Sequence, residues 1–172
     1  MIVLGSGLAG LLHINLARAM GASRIISTDM VPARLEAAKN LGADFTFLAT
    51  DDIPARLLEV NNGRLADLVI VCTGATQALQ QGLESVDRGG TVLFFAPTEP
   101  GVNISVPVND LFFRNDATLT TTYAGAPGDL ATALEMIGSR RVQVDEMISH
   151  RLGLEEAGLG FQLTAEAKSS LK

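Results

Sequence analysis

At 172 residues, 47% of them hydrophobic and 19% charged, the chain is long enough for one well-filled α/β domain, short for two, and too apolar to be disordered. A formal net charge of −6 excludes a phosphate-binding basic face, and so a nucleic-acid partner, while Cys72 as the sole cysteine excludes a disulfide framework and a Cys-cluster zinc site. No apolar run approaches the roughly 20 residues a membrane helix needs, and the expectation is a cytoplasmic domain with no membrane contact.

In chain order, an apolar strand at residues 2–4 runs into a glycine-spaced loop and then a helix with an apolar stripe at Leu8, Leu11, Leu12, Leu16, Ala19 and Met20. A second strand is predicted at 25–28, followed by a helix with Pro32 in its first turn and Gly42 as its C-terminal cap. Strands at 45–48 and 68–72 follow. Ala75, Ala78, Leu79, Gly82, Leu83 and Val86 mark the next helix, and Asp87-Arg88-Gly89-Gly90 reads as a turn into a fifth strand at 92–96. After a stretch broken by Pro97, Pro100 and Pro107, a sixth strand is expected at 118–123, and then a helix striped by Leu130, Ala133, Leu134 and Ile137. The last helix, predicted over 154–166, contains Gly158 and Gly160, each costing about 1 kcal/mol relative to alanine. Such a helix needs something to pack against, and the first strand is also short, so both ends read as cut.

The strands show little alternation, as strands covered on both faces do. Repeated strand–helix–strand order implies right-handed crossovers. The predicted fold is therefore a single-domain, doubly wound, parallel six-stranded sheet of the Rossmann kind over residues 1–172.

Gly5-Ser6-Gly7-Leu8-Ala9-Gly10 is a G-x-G-x-x-G between the first strand and the first helix. Gly5 permits a tight turn, Gly7 lets backbone approach a pyrophosphate, and Gly10 lets the helix pack closely on the sheet. The anion would then lie on the helix N-terminus. Asp29 stands 19 positions after Gly10, near the ~20-residue offset expected for a carboxylate on the ribose hydroxyls. There it favours NAD over NADP, although capping of the following helix is a second role open to it. Met30 follows it, and Arg34 either lies beside the adenosine ribose or is a solvated surface residue; an arginine there also leaves room for NADP. Cys72, Thr73 and Gly74 close the fourth strand at the sheet's ligand-binding end, and Ala96 and Pro97 should line the nicotinamide end.

These residues resemble the cofactor domain of zinc-type medium-chain alcohol and polyol dehydrogenases, particularly the sorbitol and threonine dehydrogenase-like branch. The resemblance runs through Val3-Leu-Gly-Ser-Gly-Leu-Ala-Gly-Leu-Leu12, Thr28-Asp-Met-Val-Pro-Ala-Arg-Leu35 and Ala38-Lys-Asn-Leu-Gly-Ala-Asp44. It continues in Val71-Cys-Thr-Gly74, Asp87-Arg-Gly-Gly-Thr-Val92 and Ile148-Ser-His-Arg-Leu-Gly-Leu-Glu-Glu-Ala157. It implies an oxidoreductase that passes a hydride between NAD and an alcohol, with a catalytic zinc polarising the substrate oxygen. By that resemblance Gly5 to Gly10 hold the pyrophosphate, Asp29 and Arg34 the adenosine ribose, and Thr73, Ala96, Pro97, Thr121 and Thr122 line the cofactor's far side.

The family's zinc ligands have no counterpart here. His13, His150 and Cys72 make no convincing zinc site, so no catalytic or metal-binding residue is assigned, and zinc is expected only in a catalytic domain absent from this chain. Residues 147–172 are expected to return toward that domain. The resemblance also implies a homodimer through the edge strand between Thr118 and Tyr123. A stand-alone NAD-sensing module is the alternative reading. A short-chain dehydrogenase is excluded, because Tyr123 is the only tyrosine and Pro127 stands where its lysine would be.

Overall fold

The computed structural model describes residues 1–166 and Ser170. Six parallel strands form one sheet: β1 Ile2–Leu4, β2 Ile26–Asp29, β3 Phe45–Leu48, β4 Ala66–Val71, β5 Val86–Phe94 and β6 Thr118–Thr121, in the order β3-β2-β1-β4-β5-β6. The helices are α1 Leu8–Ala19, α2 Pro32–Asn40, α3 Ile53–Val60, α4 Thr76–Glu84, α5 Pro127–Gly138 and α6 Ala157–Glu166. A π-helical segment, Asn109–Arg114, precedes β6, and short 3-10 turns occupy Asp145–Met147 and Leu154–Glu156. No helix among the described residues is long and apolar enough to cross a membrane.

Strand periodicity divides the core in two. Ile2, Leu4, Val69 and Val71 point to one face, where they pack with Ile53 and Leu57 of α3 and Leu79 and Leu83 of α4. Val3 and Ile70 point to the other, against Leu11 and Ile14 of α1 and Ala38 of α2. Coverage on both sides of β1 and of β4 from Val69 to Val71 explains why these segments do not alternate.

The first helix sits in a different rotation from its predicted stripe. Its buried residues are Gly10, Leu11, Ile14 and Asn15, while Met20 is 71% exposed. The cause is local: a Cβ on Gly10 would overlap the Gly5 carbonyl oxygen, so that face alone can lie against the turn. Asn15, buried by the same rotation, donates through Nδ2 to the Gln143 carbonyl at 2.9 Å. In α2 the sequence signals hold. Pro32 occupies its first turn, and Gly42, at φ +117°, follows the C-cap Leu41.

Two other expectations need correction. Residues 87–90 do not form a turn before the fifth strand but an irregularity inside it: Ala66 pairs with Val86 and Leu68 with Thr91, and Gly89 takes φ +69°. Arg64 pins this bulge, at 3.0 Å from Asp87 and 2.9 Å from Asp67. The stripe on α5 is real but uncovered, with Leu130 65% and Leu134 71% exposed and no buried residue in the helix. Helical spacing identifies an apolar face and says nothing about what meets it. The expectation for residues 147–172 reaches into 167–169, 171 and 172, which lie outside the described residues.

Gly10→Ala should lower stability by about 3 kcal/mol or more, since the added methyl meets backbone that cannot relax as a side chain does. Gly128→Ala, where an added Cβ meets nothing within 4 Å, should be neutral or slightly stabilising. Urea unfolding followed by circular dichroism checks the pair; equal midpoints would contradict the close approach at Gly10.

Candidate functional site: a glycine-loop cleft at the switch point of the sheet

The chain winds outward from β1 to β3, then crosses back to β4, so the loops after β1 and β4 diverge at their carboxyl ends. Open α/β sheets bind ligands in that crevice. Gly5 leaves β1 at φ +97°, and its amide donates to the Thr28 carbonyl at 2.9 Å. Gly7 is the N-cap of α1, and a Cβ there would meet nothing within 4 Å. The first intrahelical bond runs from the Leu11 amide to the Gly7 carbonyl. The amides of Leu8, Ala9 and Gly10 therefore lack intrahelical acceptors and face out of the helix start.

Ser6 faces inward. Fully buried, it donates its amide to Asp29 Oδ2 at 2.8 Å, and its hydroxyl lies 2.8 Å from Ser27 Oγ. The Asp29 carboxylate, at the end of β2, also accepts the Val31 amide on Oδ1 at 2.9 Å, and Arg34 Nη1 stands 3.8 Å from Oδ2. Val31 is the N-cap of α2, so Asp29 does steady the start of that helix as well as line the groove. Two backbone donors leave each carboxylate oxygen a further acceptor position.

Gly5, Gly7, Asp29, Met30 and Arg34 meet Cys72 and Thr73 around one groove of ≈ 300 Å³. Ala49, Gln77 and Gln81 join this groove and were not expected from sequence. Gln81 donates to the Ala49 carbonyl at 3.0 Å, tying α4 to the end of β3; no motif marks them, because their placement follows from strand order. Ala96, Pro97, Thr121 and Thr122 gather around a second cavity of ≈ 540 Å³ together with Phe95 and Tyr123. Between the two, Gly74 lies so near the Pro97 carbonyl oxygen that a Cβ would stand 2.6 Å from it. Ser6, Leu8, Ala9, Gly10 and Gly74 line neither cavity; they shape the loops that do.

Of the three residues weighed as metal ligands, His13 and Cys72 meet and His150 does not join them. His13 Nδ1 lies 2.8 Å from the Ala9 carbonyl and 3.6 Å from Cys72 Sγ, and its ring meets Phe95 edge to face at 4.5 Å. His150 is exposed beside Ser149. Among the described residues no three His, Cys, Asp or Glu side chains gather into a metal-binding group. Burial pushes the Cys72 thiol up to about 12, leaving it a neutral wall residue.

With this geometry in place, comparison with known proteins identifies the class. The zinc-binding dehydrogenase family model matches residues 9–139, and the chain belongs to that family. It is 30% identical to sorbitol dehydrogenase of Gallus gallus over 95% of this chain and 46% of the relative. Against alcohol dehydrogenase 2 of Oryza sativa subsp. japonica the identity is 33%, over 97% and 45%. Among solved structures, a zinc-binding dehydrogenase from Clostridium scindens superposes with TM-score 0.91 at 27% identity, covering 98% of this chain and 47% of the other. An alcohol dehydrogenase from Thermus sp. ATN1 gives 0.87 at 30%, covering 98% and 48%. The chain spans about half the length of the curated relatives it matches.

Cys72 should resist iodoacetamide at pH 8, reacting at least about tenfold more slowly than a free cysteine of ordinary pKa. Because its folded pKa is raised, the stability it contributes is complete below the unfolded thiol pKa and is lost as pH rises beyond it. Rapid alkylation of the folded chain, read by mass spectrometry, would contradict this burial.

Proposed function

We propose that the chain binds NAD(H) across the switch-point cleft, as the cofactor-binding part of a zinc-dependent oxidoreductase that moves a hydride between NAD and an alcohol or polyol. One observation carries the reading. The open side of Gly7 and the free first-turn amides of α1 adjoin a groove walled by the Asp29 carboxylate. Gly7 leaves room for a pyrophosphate, and the helix start supplies donors and a positive dipole end for it. Asp29 offers its remaining acceptor positions to ribose hydroxyls and repels a 2′-phosphate, which favours NAD over NADP. Thr121 Oγ1 donates to the Phe94 carbonyl at 2.9 Å, fixing the loops of the second cavity, where the nicotinamide end is assigned. When bound, the nicotinamide supplies the hydride-accepting carbon; these residues bind it, orient it and keep water from one side. The zinc chemistry is assigned to a part of the enzyme outside this chain, which spans about half the length of its relatives. The names of the relatives, sorbitol and alcohol dehydrogenases, support an alcohol or polyol as substrate.

A fluorescence titration with NADH and NADPH tests the reading. Saturable binding that prefers NADH is expected, and Asp29→Ala should weaken NADH at least about tenfold and abolish the preference. Gly7→Ala should keep the fold, given the empty space around it, and lose binding. Failure of the folded wild-type chain to bind either dinucleotide would overturn the proposal.

The outer edge of β6 has no strand partner among the described residues, and we infer that it pairs with the same edge of a second copy. Multi-angle light scattering should give a dimer for the wild type and a monomer for Thr120→Pro; a dimeric variant would refute this interface.

A further inference from the structure

Beneath the glycine loop lies a pair of buried serines that line neither cavity. Ser6 and Ser27 are both fully buried, and their hydroxyl oxygens are 2.8 Å apart. Ser6 Oγ also lies 3.1 Å from the Thr28 carbonyl, and Ser27 Oγ 3.2 Å from the Val3 carbonyl. Two hydroxyl protons must serve these three contacts, because each serine donates once. If Ser27 donates to Ser6, Ser6 donates to the Thr28 carbonyl, which already accepts the Gly5 amide at 2.9 Å. If instead Ser6 donates to Ser27, Ser27 turns to Val3 within its own paired register. The third arrangement, with both hydroxyls donating to carbonyls, would leave two hydroxyl oxygens 2.8 Å apart with no proton between them, so the short Ser6–Ser27 bond is kept.

That bond stands directly behind the Ser6 amide, which donates to Asp29 Oδ2 at 2.8 Å. We propose that Ser27 is a positioning residue for the dinucleotide loop: acting through Ser6, it holds the Ser6 amide on Asp29 and so fixes the carboxylate's remaining acceptor positions toward the groove. The inference rests on the reading of the cleft as an NAD(H) site. The physical cause is desolvation. Without Ser27 Oγ, the Ser6 hydroxyl loses its 2.8 Å partner in a place water does not reach and keeps only the 3.1 Å contact to the Thr28 carbonyl, so the loop that carries it is held less firmly. Ser27 lines neither cavity, and its direct contact with the dinucleotide loop is Ser6.

The test uses the whole chain labelled with ¹⁵N and measures NADH affinity beside amide hydrogen exchange. Ser27→Ala should weaken NADH about fivefold, the size of one net hydrogen bond, and speed exchange at the Ser6 amide while leaving core amides such as that of Val69 unchanged. Ser6→Ala should do the same at its own amide, which keeps the comparison open should Ser27→Ala lose its fold. The double variant should bind no worse than Ser6→Ala alone, because both changes remove the shared Ser6–Ser27 contact. Wild-type affinity and exchange in Ser27→Ala, or a double variant weakened by the product of the single effects, would overturn the positioning role. If the wild-type chain binds no NADH, the cofactor reading fails by itself, and the Ser6 exchange rates still decide whether Ser27 holds the loop.

Discussion

The carbonyl oxygen of Gly5 occupies the space where a side chain at residue 10 would begin, and from that close approach much of the site follows. Only a helix with glycine at this point can seat its first turn on the loop leaving β1. Once seated, α1 has one available rotation, which buries Leu11, Ile14 and Asn15 and directs its start at the cleft between β1 and β4. Asn15 then bonds the backbone of Gln143 at 2.9 Å, joining the first helix to the chain after α5. Core packing and the aim of three free amides are thus settled by one missing methyl group.

A net charge of −6 would seem to disfavour an anionic ligand. The groove answers this with neutral donors. Its nearest cation, Arg34, stands 3.8 Å from the Asp29 carboxylate rather than alone. Backbone amides at a helix start carry partial positive charge without a mobile side chain, and act only over the first turn. An acidic chain can therefore present a locally positive surface where its backbone is bare, at Gly7.

Much of this was legible in the amino acids. β1 and β3 match their expected bounds, because short apolar runs between glycine and aspartate signals leave little room for error. Gly5, Gly7, Asp29 and Arg34 come together as the glycine spacing implies. The failures have physical causes. The bulge at 87–90 reads as a turn because its glycines are the same in both; the pairing of Ala66 with Val86, a long-range contact, makes it part of β5. The stripe on α1 counted Met20 because spacing alone does not reveal which face a backbone contact selects. Gln81 and Ala49 carry no local signal and reach the groove only through the order of the strands.

The two cavities on either side of Gly74 differ in kind, and the difference bears on how chemistry is divided. The first combines a carboxylate, a guanidinium and free amides, enough to recognise a polar ligand by directed bonds. The second is walled by Phe95, Ala96, Pro97, Thr121, Thr122 and Tyr123, and no carboxylate, imidazole or amine lines it. Hydride transfer needs an apolar slot for the nicotinamide face and, separately, a group to take or give the proton on the substrate oxygen. Cys72, which lines the first groove, is a thiol whose pKa burial pushes up to about 12, so it stays neutral there. The described residues thus divide the cleft into a polar groove beside the glycine loop and a largely apolar cavity beyond Gly74.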